Sequence, residues 1–153
     1  MTYVVRQNMI TNAQAFPQIL MTDIQSLKIP CIEKNEQQPF IELADKMLTL
    51  NSDLQTKRQR FLKRLTDNLG ILKITGVLER FDELEFKQFV TELKKQKITF
   101  SLKQQDEWEE YFNEYKTACN NLAKQIQTTD KEIDRMVYSL YGLNEDEIKI
   151  IEK

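Results

Sequence analysis

The chain has 153 residues with 22 Lys and Arg against 24 Asp and Glu, a net charge of -2, and no histidine. Without histidine the commonest general base and transition-metal ligand are absent, which excludes Ser-His, Cys-His and imidazole-zinc chemistry within this chain. Charged residues make up 30% and hydrophobic ones 41%, with three glycines and three prolines, a balance that favours helix and argues against disorder.

Residues 1 to 34 differ from the rest. Tyr3-Val4-Val5 and Met9-Ile10 read as extended. Phe16-Pro17-Gln18-Ile19-Leu20-Met21 reads as a short strand, because Pro17 pushes Phe16 out of the helical region. Thr22 to Leu27 is expected to form a turn of helix ahead of Lys28-Ile29-Pro30. These pieces cannot bury a core by themselves and must lean on the helices, a partner or a further domain.

A first long helix is expected from about 36 to 68. Phe40, Leu43, Met47, Leu50, Leu54 and Phe61 repeat at three- and four-residue steps, with Lys57 interrupting once and Leu65 and Leu69 one position out of step. Asn35 with Gln38 fits a capping box, Glu36 adds an acid to the first turn, and Pro39 is tolerable that early. Within 70–100, Asp82 with Glu85 forms a second box, with Phe81 and Phe86 as its hydrophobic staple. The helix that follows carries Phe86, Phe89, Val90 and Leu93 on one face and reads as a satellite cluster at the tip of a hairpin.

The second long helix has the clearest pattern. Trp108, Phe112, Tyr115, Cys119, Leu122, Ile126, Ile133, Met136 and Leu140 keep a 4-3 rhythm in which only Thr129 is polar. A period of 3.5 residues describes a narrow seam for another helix. Ser101 with Gln104 caps this helix, and Asn144 with Glu147 caps a short last one at 144–152 that presents Ile148 and Ile151. The fold expected is mainly α: a long antiparallel, coiled-coil-like hairpin with a small helical tip insertion and a short extended N-terminal segment. Each long helix of roughly 30 residues should measure about 45 Å.

No apolar run approaches the roughly 20 residues that span a bilayer, and no charged-then-apolar leader precedes a cleavage site, so a cytoplasmic protein without membrane partners is expected. Cys31 and Cys119 are expected to stay unpaired, with Cys119 acting as a small apolar seam residue. Gly70, Gly76 and Gly142 stand alone and build no phosphate loop. Glu107, Glu109, Glu110 and Glu114 lie among polar neighbours and read as a solvated face. No self-contained catalytic, cofactor or metal site is expected. Lys57, Arg58, Arg60, Lys63 and Arg64 crowd five positive charges into eight residues without an acid. Such a helix can neutralise DNA phosphates, or its stems can cover the seam while its heads pair with the acidic second helix. Lys94, Lys95 and Lys97 form a smaller basic group.

Two segments carry a family resemblance. Gln37-Gln38-Pro39-Phe40-Ile41-Glu42-Leu43-Ala44-Asp45-Lys46-Met47-Leu48 and Asp130 to Ile148, with its Ile133-Asp134, Val137-Tyr138 and Leu140-Tyr141-Gly142-Leu143, resemble the helical segments of bacterial restriction-modification proteins. Phe16 to Ile19 and Leu27 to Ile32 resemble the last strand and exit of a TaqI-like specificity domain. The resemblance implies that residues 1–34 are the end of a target-recognition domain and that 35–153 is a helical spacer beside it. It further implies an adenine-specific N6 DNA methyltransferase elsewhere, which would hold S-adenosylmethionine and magnesium. No Pro-Pro dipeptide for an adenine-holding motif occurs here. In type I specificity subunits similar helices set the distance between recognition domains and dock methyltransferase subunits. Expected partners are therefore DNA through the wider protein, restriction-modification subunits, and a second copy in a homodimer using residues 1–30 or the last helix. A coiled-coil oligomerisation protein unrelated to DNA and a stand-alone DNA-backbone-binding module are the alternatives.

Overall fold

A computed structural model describes residues 30–152. The expected strand at Phe16 to Met21, and all but the end of the 1–34 segment, lie outside the described residues. The described chain is mainly α: α1 Lys34–Leu69, α2 Gly76–Glu79, a 3₁₀ turn Phe81–Glu83, α3 Phe86–Lys95, α4 Leu102–Leu140 and α5 Glu145–Ile151. No strand occurs among the described residues. Two compact units divide the chain, residues 42–131 and the terminal segments up to Ile41 and from Glu132.

In the 42–131 unit α1 and α4 form the expected antiparallel hairpin. Phe61 of α1 lies 6.1 Å from the Phe112 ring and 5.7 Å from that of Tyr115. Four residues earlier, Lys57 still reaches Tyr115, and Lys46 shares a groove with Asn121 to Thr129. Residues earlier in α1 thus meet later ones in α4. Seam residues Leu50, Leu54, Phe61, Phe112 and Cys119 are buried; Leu43, Met47, Trp108, Tyr115, Leu122 and Ile126 are half-buried.

The hydrophobic core extends well beyond that seam. Ile71, Leu78, Phe81, Phe86, Phe89 and Leu93 join Leu54, Phe61, Leu65, Phe112 and Cys119 in one cluster. The 70–100 segment, expected as a satellite, therefore supplies about half of the principal core. Phe61 explains why. Its ring stacks on Phe81 at 3.8 Å and meets Phe89, Tyr111, Phe112 and Tyr115 within 6.1 Å. A two-helix seam leaves one side of such a ring open to water, and full burial of a Phe is worth about 2–3 kcal/mol, which a third layer supplies.

Helix ends follow local chemistry, with two shifts from expectation. α1 begins before Asn35: the Glu33 amide donates to Glu36 Oε2 at 3.1 Å, and Gln37 N–H already reaches the Glu33 carbonyl. Pro39 consequently stands inside the helix rather than in its first turn. The box of α3 lies three residues later than expected, with the Glu85 amide donating to Gln88 Oε1 at 2.8 Å, because Asp82 is drawn into the interior. Ser101 with Gln104 and Asn144 with Glu147 cap α4 and α5 as expected. Both α3 and α4 end in Schellman turns, Ile98 N–H bonding to the Leu93 carbonyl and Leu143 N–H to that of Tyr138. The left-handed position is Gly142 in one turn (φ 62°) and Lys97 in the other (φ 64°).

In the terminal unit, Phe40, Ile133, Met136, Leu140, Ile148 and Ile151 are half-buried, and Ile41 and Ile150 are exposed.

Candidate functional site

The basic stretch of α1 is split by the fold into two environments. Arg58 turns inward: its Nε donates to Asp82 Oδ1 at 3.1 Å and its Nη2 to Oδ2 at 2.6 Å. Asp82 is only 3% exposed while the Arg58 side chain keeps 26%. The forked pair raises the Arg58 pKa, chiefly through the hydrogen bond to Asp82. Arg58 is therefore committed to structure and is not free for phosphate. No local reading of residues 57–64 shows this partner, which lies 24 positions away.

Lys57, Arg60, Lys63 and Arg64 are exposed. Lys57, Arg60 and Arg64 follow i, i+3 and i+7 spacing and so share one side of α1. Lys57 Nζ stands 5.8 Å from the centre of the Tyr115 ring, a cation-π arrangement. Burial, with help from Tyr115, pushes the Tyr111 hydroxyl up to about 12, and Arg64 acts against that shift. None of these cations pairs with Glu107, Glu109, Glu110 or Glu114 among the described ion pairs.

Other polar features are sparse. Cys119 is fully buried, and burial pushes its thiol up to about 11, so it is an inert packing residue. Cys31 is exposed and both cysteines are free. Lys46, Asn121, Lys124, Gln125, Thr128 and Thr129 line an open groove of about 380 Å³. No group of His, Cys, Asp and Glu capable of holding a metal occurs among the described residues. No described helix is long and apolar enough to cross a membrane. What the arrangement can do is present a cationic helix ridge on a rigid aromatic core.

No curated protein and no solved structure is measurably similar to this chain. One family model does match, over residues 33–137, which takes in α1, the inserted segment and nearly all of α4. The chain belongs to that family, the domain of unknown function DUF8810.

Proposed function

We propose that this chain is a non-catalytic spacer and assembly element of a restriction-modification enzyme, standing beside its DNA target-recognition domain. The supporting observation is the joint core of α1, α3 and α4: eleven buried residues from the hairpin and its insertion lock one against another. A hairpin closed on such a core keeps a fixed length, which is the property a spacer between two reading domains needs. The resemblance of the Gln37 to Leu48 and Asp130 to Ile148 segments to restriction-modification helices supplies the DNA setting. Adenine methylation, with its S-adenosylmethionine and magnesium, belongs in this reading to domains outside the chain.

The reading is tested on the methylating assembly that contains these residues. Removing residues 35–152 should abolish site-selective adenine methylation, and supplying them as a separate chain should restore part of it through docking. Unchanged methylation after the deletion contradicts the reading.

A further inference from the structure

The hairpin has one closed end, where the last turn of α1, the last turn of α3 and the first turn of α4 converge. The antiparallel pairing brings the ends of α1 and the start of α4 together. α3 joins them because it begins beside the third and fourth turns of α4, with Glu85 Oε1 2.9 Å from Lys116 Nζ and Phe86 5.6 Å from Phe112. It then runs back toward Leu102, which residues 96–101 connect to it.

This end is cationic. Residues 63–73 and 92–107 hold seven Lys and Arg against four acids, Asp67, Glu92, Asp106 and Glu107, so their net charge is 7 - 4 = +3 in a chain whose total is -2. Lys95 is paired with Glu92 and Lys103 lies 3.9 Å from Glu107. Lys63, Lys73, Lys94 and Lys97 are exposed and have no ion-pair partner among the described residues. Lys94 and Lys95 are accounted for in part by the helix dipole, since cations are favoured in a last helical turn.

Lys97 is not accounted for that way. It occupies the left-handed position of a Schellman turn, where α4 has Gly142 and where a side chain is strained. A lysine there costs stability and sets a charge at the rim, the kind of local strain found where a residue has a binding task.

From this convergence we infer that the closed end of the hairpin is a docking surface for a nucleic-acid backbone, with Lys63, Lys73, Lys94 and Lys97 neutralising phosphates. The choice of DNA as the polyanion rests on the function proposed above. The same end also exposes Leu72 and Leu102, but they stand singly on two different connections. Binding to a bilayer surface scales with the apolar area inserted, and two separate leucines offer little, whereas phosphate contact needs only the charges. Contacts of this kind position a protein without reading bases, so no sequence preference is expected.

The test is fluorescence anisotropy of a labelled duplex of about 20 base pairs with the full chain, from about 20 to 200 mM salt. Four phosphate contacts give a slope of log K against log salt of about -3.6. The Lys73→Gln, Lys94→Gln, Lys97→Gln triple variant should flatten that slope by nearly three, and Lys97→Gly alone by about one. Neither change should alter helix content, so folding damage cannot imitate the result. Lys46→Gln with Lys124→Gln, in the groove, should leave the slope unchanged. Absence of binding at the lowest salt, an unaltered slope in the triple variant, or tighter binding to phosphatidylserine vesicles than to duplex overturns the inference. A chain that fails here still stands as a spacer, which needs no phosphate contact of its own; loss of the spacer reading shows instead in the methylation experiment.

Discussion

Arg58 and Asp82 form a forked pair, at 3.1 and 2.6 Å, that joins α1 to the 3₁₀ turn before α3, and the two partners are unequally buried at 26% and 3% exposure. The inequality predicts an asymmetric cost. Removing Arg58 leaves a carboxylate in the core without a counter-charge, whereas removing Asp82 leaves a guanidinium that can swing into water. Arg58→Met should lower unfolding free energy by about 3 kcal/mol and Asp82→Asn by only about 1 kcal/mol, measured by urea titration. Equal costs would show that the carboxylate is hydrated after all.

Phe61 is the point where all three helices meet. Phe61→Ala removes a ring in contact with five others and should cost about 4 kcal/mol, with loss of the helix signal in one cooperative transition. Survival of the long helices after the 70–100 segment has melted would instead mark that segment as a true satellite.

Alkaline stability follows from one buried thiol and one half-buried hydroxyl. Cys119 ionises at about 11 in the fold against 9.0 ordinarily, and Tyr111 at about 12 against 10.0. Both folded values are raised, so the neutral forms stabilise the fold fully below pH 9, and that contribution is lost as pH rises to 11 and then 12. Cys119→Ala should flatten the decline between pH 9 and 11 while leaving the later one in place. At pH 8 a thiol reagent should modify Cys31 at once and Cys119 only on unfolding.

Thr129 is fully buried and its hydroxyl has no hydrogen-bond partner among the described residues. Thr129→Val keeps the shape and removes an unsatisfied polar atom, so it should stabilise the chain by about 1 kcal/mol. A raised melting midpoint checks this; a lowered one would mean that the hydroxyl has a partner in solution.

The seam and the ends of α4 were legible because each rests on nearest-neighbour chemistry: a 4-3 apolar rhythm, Ser101 with Gln104 before it and Gly142 after it. The start of α1 is not legible because Asn35-Gln38 and Glu33-Glu36 both fit a cap, and only the backbone selects between them. Asp82-Glu85 and Glu85-Gln88 posed the same choice, decided by Arg58, a partner 24 residues distant. The weight of the 70–100 segment in the core is not legible because a stripe on α3 does not reveal which ring it covers. The sequence shows Lys97 as one of a small basic group with Lys94 and Lys95 but not its conformation: a left-handed turn without glycine leaves no sign in the sequence.

The central claim, that the hairpin sets a distance, is tested most directly by shortening it. Deleting residues 43–49 from α1 and 125–131 from α4 removes one heptad from each helix, keeps the apolar register, and shortens the hairpin by about 10 Å. In the methylating assembly, the separation between the two halves of the modified DNA sequence should contract by about three base pairs, read from the positions of methylated adenine. Methylation at the original spacing, with activity retained, would contradict the spacer account.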